Sequence, residues 1–319
     1  MKSLQTEFDR QRISLYRKEL LEKLESILSE DGAIELYPGI TVFRSSYPTD
    51  CVPSVFKPAL CVIAQGAKNV VLSGTTFRYD SGNYLISTLD LPITSSIVQA
   101  SVSEPYLSLR LDLEAAAVAE VALEAGVKVN KVVSSEKAMN VSPLDADLLE
   151  AVLKLIRLVE SQAGKHFLIQ LTIKEIIFRL FNGNQSERLK HMIAAEGDAK
   201  RISKAVKILR ENYQQPIRIE KIARELGMSV SGFHHHFKSV TSMSPLQFLK
   251  QIRLQEARRL MLSENVDVAS AGFRVGYLDA AYFSRDYKKL FGEPPLRDVM
   301  KLRSSLNQSD IDKALSASA

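Results

Sequence analysis

Ser229-Val230-Ser231-Gly232-Phe233-His234-His235-His236-Phe237-Lys238 and Asp279-Ala280-Ala281-Tyr282-Phe283-Ser284-Arg285-Asp286-Tyr287-Lys288 are one segment written twice, at an offset of 50 residues. Ser229 aligns with Asp279, Phe233 with Phe283, Phe237 with Tyr287 and, further on, Pro245 with Pro295. Such a repeat marks one structural unit used twice. Just upstream, at an offset of 49, Ile219, Ile222, Ala223 and Leu226 align with Val268, Ala271, Gly272 and Val275. Both sets follow the i, i+3, i+4, i+7 spacing that puts one apolar stripe on a short helix. Each helix runs into a glycine, Gly227 or Gly276, able to take the left-handed conformation that ends it. Ser229 and Asp279 then supply side-chain oxygens suited to N-cap the next helix. Helix, glycine turn and capped second helix predict a helix-turn-helix, and the chain contains two.

The second helix of each unit divides its residues by face. Phe233, Phe237 and Val240 form one stripe for burial; Phe283, Tyr287 and Leu290 form the other. Opposite them lie Ser231, His234, His235 and Lys238, and in the second copy Ala281, Ser284, Arg285 and Lys288. Small, hydrogen-bonding and cationic groups are what a helix presents to base edges in a major groove. Two ordinary solvated faces are the alternative, but repeat, turn and cap agree in both copies. Between the copies, Ser244-Pro245 predicts a capped helix running to about Leu262. At ~1.5 Å per residue it is about 28 Å long. That length suits two reading helices set about one DNA turn, ~34 Å, apart.

The phrases LGMSVSGFHHHFKSVTSMSPLQF, RLQEARRLML and VGYLDAAYFSRDYKKLFGEPP carry a family resemblance. Residues 219–295 resemble the tandem helix-turn-helix domain of AraC/XylS-type bacterial transcription regulators. The resemblance implies base-edge contacts at Ser231, His234 and His235 in the first unit and at Ala281, Ser284 and Arg285 in the second. It implies phosphate contacts at Lys238, Lys288 and Lys289. Three positions depart from the family pattern. Ser242 stands where glycine is common, Gly272 where alanine is usual, and Leu296-Arg297-Asp298-Val299 lacks the tyrosine-arginine often found after the last proline.

Charge follows the same division. Residues 199–303 hold 20 Lys+Arg against 10 Asp+Glu, whereas the remainder holds 22 against 27. The excess of cations therefore sits on the repeat, as an electrostatic footprint for phosphate should. A length of 319 residues favours about two domains. No apolar run reaches the ~20 residues of a membrane helix, and the N-terminus lacks the apolar core of a secretory signal. The expected compartment is the cytoplasm, with no membrane partner.

Residues 4–29 read as a charged amphipathic helix. From Gly39 the pattern changes to seven short segments, ITVFR, ALCVIAQG, NVVL, TFRYD, NYLIS, ITSSIVQAS and YLSLRLDL, separated by turns such as Ser73-Gly74. They predict an antiparallel sandwich or barrel. In the last, Leu107, Leu109, Leu111 and Leu113 alternate with Ser108, Arg110 and Asp112. YPGI, CVIAQGAKNVVLSG, FRYDSGNYLIS and PYLSLRLDL are similar to the amino-terminal domain of one AraC-type subgroup, which implies a cupin-like fold over roughly residues 34–159. Helices are expected over residues 113–125, from Ser142-Pro143 through Val159, and over residues 167–181. Residues 127–142 read as irregular and 184–198 as a linker. The expected architecture is α+β: an N-terminal helix (1–30), an antiparallel cupin-like β-barrel for effector sensing or dimerisation (31–126), a helical connector (127–198), an all-α tandem helix-turn-helix domain (199–303) and a tail (304–319).

Catalysis is not expected. Residues 1–165 contain no histidine, so the β-domain lacks the imidazole ligands of a metal-dependent cupin enzyme. No phosphate loop and no nucleophile elbow is present, and neither a metal nor another cofactor is implied. Consecutive residues His234 to His236 diverge by about 100° on a helix, which does not make a metal triad, and His236 falls toward the buried side. Two residues are candidates for effector or redox sensing. Cys51 lies among Pro48, Asp50 and Pro53 and is expected to be exposed; Lys68 follows the glycine of Gln65-Gly66-Ala67, where a turn between strands would equally account for it. Cys61, inside ALCVIA, is expected in the core. The implied partner is double-stranded promoter DNA. RNA polymerase, a small-molecule effector of unknown identity and a second copy of the chain are the further partners this reading admits. An enzyme with an accessory DNA domain and an architectural DNA-binding protein are the rival readings.

Overall fold

The computed structural model describes residues 2–128, 137–160, 165–193 and 198–305. A helix, α1 (Lys2–Ile27), leads into nine strands: β1 (Gly32–Tyr37), β2 (Ile40–Ser45), β3 (Val52–Phe56), β4 (Ala59–Gln65), β5 (Ala67–Leu72), β6 (Thr75–Asp80), β7 (Asn83–Ser87), β8 (Leu91–Gln99) and β9 (Tyr106–Asp112). Then come α2 (Ala115–Glu124), β10 (Met139–Pro143), α3 (Ala146–Glu160), α4 (Lys165–Asn182) and α5 (Ser186–Ile193). The remainder is helical: α6 (Asp198–Glu211), α7 (Ile219–Glu225), α8 (Val230–Thr241), α9 (Pro245–Ser263), α10 (Val268–Arg274), α11 (Ala280–Phe291) and α12 (Pro295–Ser305). No helix among the described residues is long and apolar enough to cross a membrane.

The strands form two antiparallel sheets, one ordered β1-β2-β9-β4-β7-β10 and the other β3-β8-β5-β6. Two turns explain how the chain builds both. Ser73 and Gly74 have φ of 49° and 80°, the positive pair that a tight two-residue hairpin needs, and they join β5 to β6. Gly66 (φ 87°) does something different. It is the single residue between β4 of the six-stranded sheet and β5 of the four-stranded sheet, so it turns a corner from one sheet to the other. A Cβ there would lie 2.5 Å from the carbonyl oxygen of Gln99.

Strand alternation then decides what each face meets. Leu107, Leu109 and Leu111 of β9, with Leu60, Val62 and Ile86, pack against Leu20 and Leu24 of α1, Leu148, Val152 and Leu155 of α3, and Ile176 and Ile177 of α4. The helices therefore cover the leucine face of the large sheet. Its other face looks toward the second sheet, where Cys61, Ile63 and Tyr106 pack with Phe56, Val70, Leu72, Tyr79 and Ile93. Ser108 and Arg110, which share that face, are only 5% and 7% exposed. The same apolar cluster runs on into α6, α7 and α8 through Ile202, Leu209, Phe233 and Phe237.

Several expectations are corrected. Ten strands are present among the described residues, the three missed being β1, β3 and β10. Residues 139–142, within the stretch 127–142 that reads as irregular, pair with β7 together with Pro143; residues 129–136 lie outside the described residues. Ser142-Pro143 does not open a helix. Pro143 ends an edge strand, where its missing N–H costs no ladder bond, and α3 is capped instead by Asp145, whose carboxylate accepts from the Leu148 amide at 2.8 Å. The linker assigned to 184–198 contains α5, anchored by buried Leu189 and His191; its residues 194–197 lie outside the described ones. The tail begins inside α12, and residues 306–319 lie outside the described residues.

Candidate nucleic-acid interface

The two helix-turn-helix units are built alike. α7 gives way to Gly227 (φ 64°) and α10 to Gly276 (φ 91°). Ser229 then caps α8, its Oγ accepting from the Gly232 amide at 3.1 Å. Asp279 caps α11, accepting from the Tyr282 amide at 2.6 Å. Between the units, α9 starts with a capping box in which Ser244 and Gln247 satisfy each other's backbone amides. Buried stripes hold the two outer helices down. Phe237 meets Phe248 of α9 edge-on at 5.4 Å, and Phe283 meets Tyr277, in the turn before α11, at 5.3 Å between ring centroids.

At the three departures from the family pattern the structure shows what each position does. Ser242 ends α8 with φ 65°, a conformation that favours glycine. A Cβ on Gly272 would stand 3.0 Å from the Phe283 ring, so the missing methyl lets α10 and α11 approach. Asp298 is buried and takes two hydrogen bonds from Arg258, at 2.7 and 2.6 Å, and a third from the Tyr287 hydroxyl at 2.7 Å.

On the outward faces, Ser231, His235 and Lys238 of α8 are exposed and His234 is half-buried. On α11, Ala281, Arg285, Lys288 and Lys289 are exposed and Ser284 is half-buried. The Ser284 hydroxyl donates to the Ala280 carbonyl at 2.9 Å, leaving its lone pairs free to accept. The Arg285 guanidinium lies 5.5 Å from the centre of the Tyr282 ring, a contact that limits its rotamers without using its donors. Sequence reasoning missed Tyr282. It is 48% exposed, one position off the buried stripe, and Lys250 approaches the same ring at 5.6 Å. An aromatic three positions before an arginine on the outward face was the available signal. His236 sits 3.3 Å from Asp198 at the start of α6, and its counterpart Asp286 bonds Lys250 at 2.9 Å. Both positions tie the second helix of a unit to its scaffold.

The sensing candidates separate. Cys51 is exposed and Cys61 buried, and burial pushes the Cys61 thiol above its ordinary pKa. Lys68 is not in a turn. It lies within β5, on the same face as Val70 and Leu72, and faces the interior between the sheets. Among the described residues, no group of three His, Cys, Asp or Glu is placed to hold a metal.

The β-domain also touches the helix-turn-helix region directly. The Ala138 amide donates to the carbonyl of Val240 in the last turn of α8 at 3.0 Å, while its own carbonyl accepts from Thr88. Gln255 of α9 donates to the Ile93 carbonyl of β8 at 3.0 Å, and Arg210 of α6 pairs with Asp90 at 2.7 Å. Between the β-domain and α6 lies a cleft of about 620 Å³.

Comparison with known proteins gives the same two halves. Residues 36–188 match the AraC-type transcriptional regulator N-terminus, and residues 222–298 match a helix-turn-helix domain family. The thermoregulatory protein LcrF of Yersinia pestis is 25% identical over 242 residues, covering 74% of this chain and 86% of LcrF. The transcriptional activator RhaS of Escherichia coli is 25% identical over 162 residues, covering 50% of this chain and 57% of RhaS. Among solved structures, ToxT from Vibrio cholerae shares the fold with a TM-score of 0.56 at 12% identity, covering 85% of this chain and 98% of that one. ToxT has also been solved with an unsaturated fatty acid bound, and that structure matches with a TM-score of 0.55 at 13% identity, over 85% of this chain and 95% of that one.

Proposed function

Since the chain belongs to the AraC-type transcriptional regulators, DNA-binding proteins with an N-terminal regulatory domain, we propose that α8 and α11 read two successive major-groove segments of one promoter site. The observation that carries this reading is the pair of equally capped helices, each presenting an outward face while its aromatic stripe is buried. Ser231, His234 and His235 contact bases in one segment, and Ala281, Ser284 and Arg285 in the other. Lys238, Lys288 and Lys289 neutralise phosphates. The β-domain passes its signal through the contact of Ala138 with Val240 of α8 and that of Ile93 with Gln255 of α9. Its effector is a small molecule, as in the ToxT complex, and the protein works in the cytoplasm, with RNA polymerase as its partner at the promoter. The reading is regulatory and not catalytic.

Selection of bound sequences from random DNA tests this assignment. Wild type should recover two blocks about one helical turn apart. Arg285→Ala should cost about 1–3 kcal/mol and relax preference in one block, because an arginine fork suits guanine O6 and N7. His235→Ala should relax the other block. Lys238→Ala or Lys288→Ala should weaken binding to all sequences and flatten its salt dependence, since a lysine on phosphate chiefly releases counterions. A single contiguous motif, altered at the same bases by Arg285→Ala and His235→Ala, would refute separate reading.

A second copy of the chain is the proposed partner of α4. Phe167, Leu168, Leu171 and Phe178 lie within about a 100° arc of that helix and are 46–69% exposed. Leu171→Glu with Phe178→Glu should convert a dimer to a monomer in sedimentation; a persisting dimer would place the interface elsewhere.

A further inference from the structure

The polar groups between the two sheets are not explained by folding. Arg110, 7% exposed, donates through Nε to Asp112 Oδ1 at 2.8 Å, and its guanidinium lies 4.8 Å from the centre of the Phe56 ring. Lys68 pairs with Tyr79 across β5 and β6. Tyr79 and Tyr106 are each 2% exposed, and burial pushes both hydroxyls above the ordinary tyrosine pKa. Cys61 and Arg110 are themselves partners across β4 and β9. These five side chains come from four strands of both sheets and face the interior between them. Lys68 and its other neighbour Ile97 are half-buried, while Val70 is fully buried, so the interior is open on the Lys68 side.

The charges there do not balance. Arg110 has Asp112, but Lys68 has no hydrogen-bond or ion-pair partner among the described residues. Burial lowers its pKa below the ordinary lysine value; Cys61 opposes that shift and the Arg110 charge adds to it. An uncompensated cation facing an interior is costly unless something pairs with it. The interdomain cleft offers no comparable vacancy, because Arg210 is paired with Asp90 and Lys207 with Glu211.

We infer that the open side of the sandwich interior, around Lys68, Arg110, Tyr79 and Tyr106, binds a small organic monoanion, a carboxylate carried on an apolar body. One unmatched positive charge selects one negative charge. The tyrosine hydroxyls add neutral donors, and Phe56, Val70 and Ile93 make the surrounding wall apolar. This assignment rests on the proposal that the β-domain senses an effector, and it names that effector's chemical class.

The test uses the full chain and a series of carboxylates, benzoate, phenylacetate, hexanoate and decanoate, each beside its primary amide. Titration calorimetry should find at least one carboxylate that binds while its amide does not. Lys68→Met should weaken that binding about tenfold or more, the size expected for one charge-assisted hydrogen bond. Lys68→Arg should retain most of it, and Lys207→Met, in the cleft, should leave it unchanged. In wild type, independently of any variant's folding, the bound carboxylate should protect Lys68 from acetylation read by peptide mass spectrometry. No binding by any carboxylate, equal binding of the amides, undiminished binding to folded Lys68→Met, or unprotected Lys68 would each overturn the assignment. Sequence selection by the ligand-free protein is unaffected by any of these outcomes, so failure of the ligand site and failure of the DNA reading are distinguished.

Discussion

Asp298→Ala is expected to lower the unfolding free energy of the C-terminal helices by about 3–5 kcal/mol, the cost of stranding a buried charge. Asp298 and Arg258 are 6% and 8% exposed. The carboxylate accepts both guanidinium bonds and the Tyr287 hydroxyl, so its removal leaves Arg258 without an anion and Tyr287 without an acceptor. The Arg258 guanidinium, 4.6 Å from the centre of the Phe291 ring, has no second carboxylate among its bonds. The substitution also unties three elements, since Arg258 lies on α9, Tyr287 on α11 and Asp298 on α12. Denaturant unfolding of the whole chain should show early loss of the C-terminal transition, and sequence selection should lose the block read by α11 before the other. Replacing the pair together, Arg258→Met with Asp298→Leu, should recover much of the stability, because apolar side chains of similar volume remove the desolvation cost as well as the attraction. An Asp298→Ala loss below about 1 kcal/mol would mean that solvent reaches Arg258 and the pair is a surface one.

That network occupies the position where the chain departs from its family's sequence pattern, which shows where sequence reading stops. The repeat, the glycine turns and the caps were legible because each is a local device: Ser229, Asp279, Gly227 and Gly276 do what their residue types do anywhere. The partnership of Asp298 with Arg258 spans 40 residues and has no local signature. The β-domain shows the same limit more sharply. Alternation in β9 correctly separates the leucines from Ser108 and Arg110, but it cannot say which face meets water. Helices α1, α3 and α4 cover the leucines, and the second sheet covers the polar side. Arg110 is therefore buried where a solvent-facing arginine would be the usual expectation. Lys68 reads as part of a turn because Gly66 precedes it, but the corner takes one residue and β5 begins at Ala67. Pro143 misled in the opposite sense, since a serine-proline pair opens helices often and an edge strand tolerates proline equally well.

The two turn glycines give the second large effect, and a contrast within it. Both adopt positive φ, 64° at Gly227 and 91° at Gly276, and an L-residue held in the left-handed region costs roughly 1–2 kcal/mol. At Gly227 that is the whole expected cost of alanine, because an added Cβ would have no heavy atom within 4 Å. At Gly276 the Cβ would come within 2.5 Å of the Gln214 carbonyl oxygen and 3.0 Å of Arg253 Nη2. Neither neighbour is free to retreat, since Arg253 donates to the carbonyls of Tyr213 and Gln215 at 2.7 and 2.8 Å and so holds this backbone against α9. Overpacking of that kind adds about 1–3 kcal/mol, so Gly276→Ala should cost about 2–5 kcal/mol against about 1–2 kcal/mol for Gly227→Ala. Relief would come by moving the α10–α11 turn away from the end of α6, which changes how the second unit stands relative to the first. Gly276→Ala should accordingly reduce affinity for the two-block site far more than affinity for either block alone, whereas Gly227→Ala should scale all three together. Comparison of binding to the intact site and to the half sites decides it. Equal stability losses at the two glycines would show that the backbone of residues 213–215 yields to the added methyl, and that the spacing of the reading helices is not fixed by this contact.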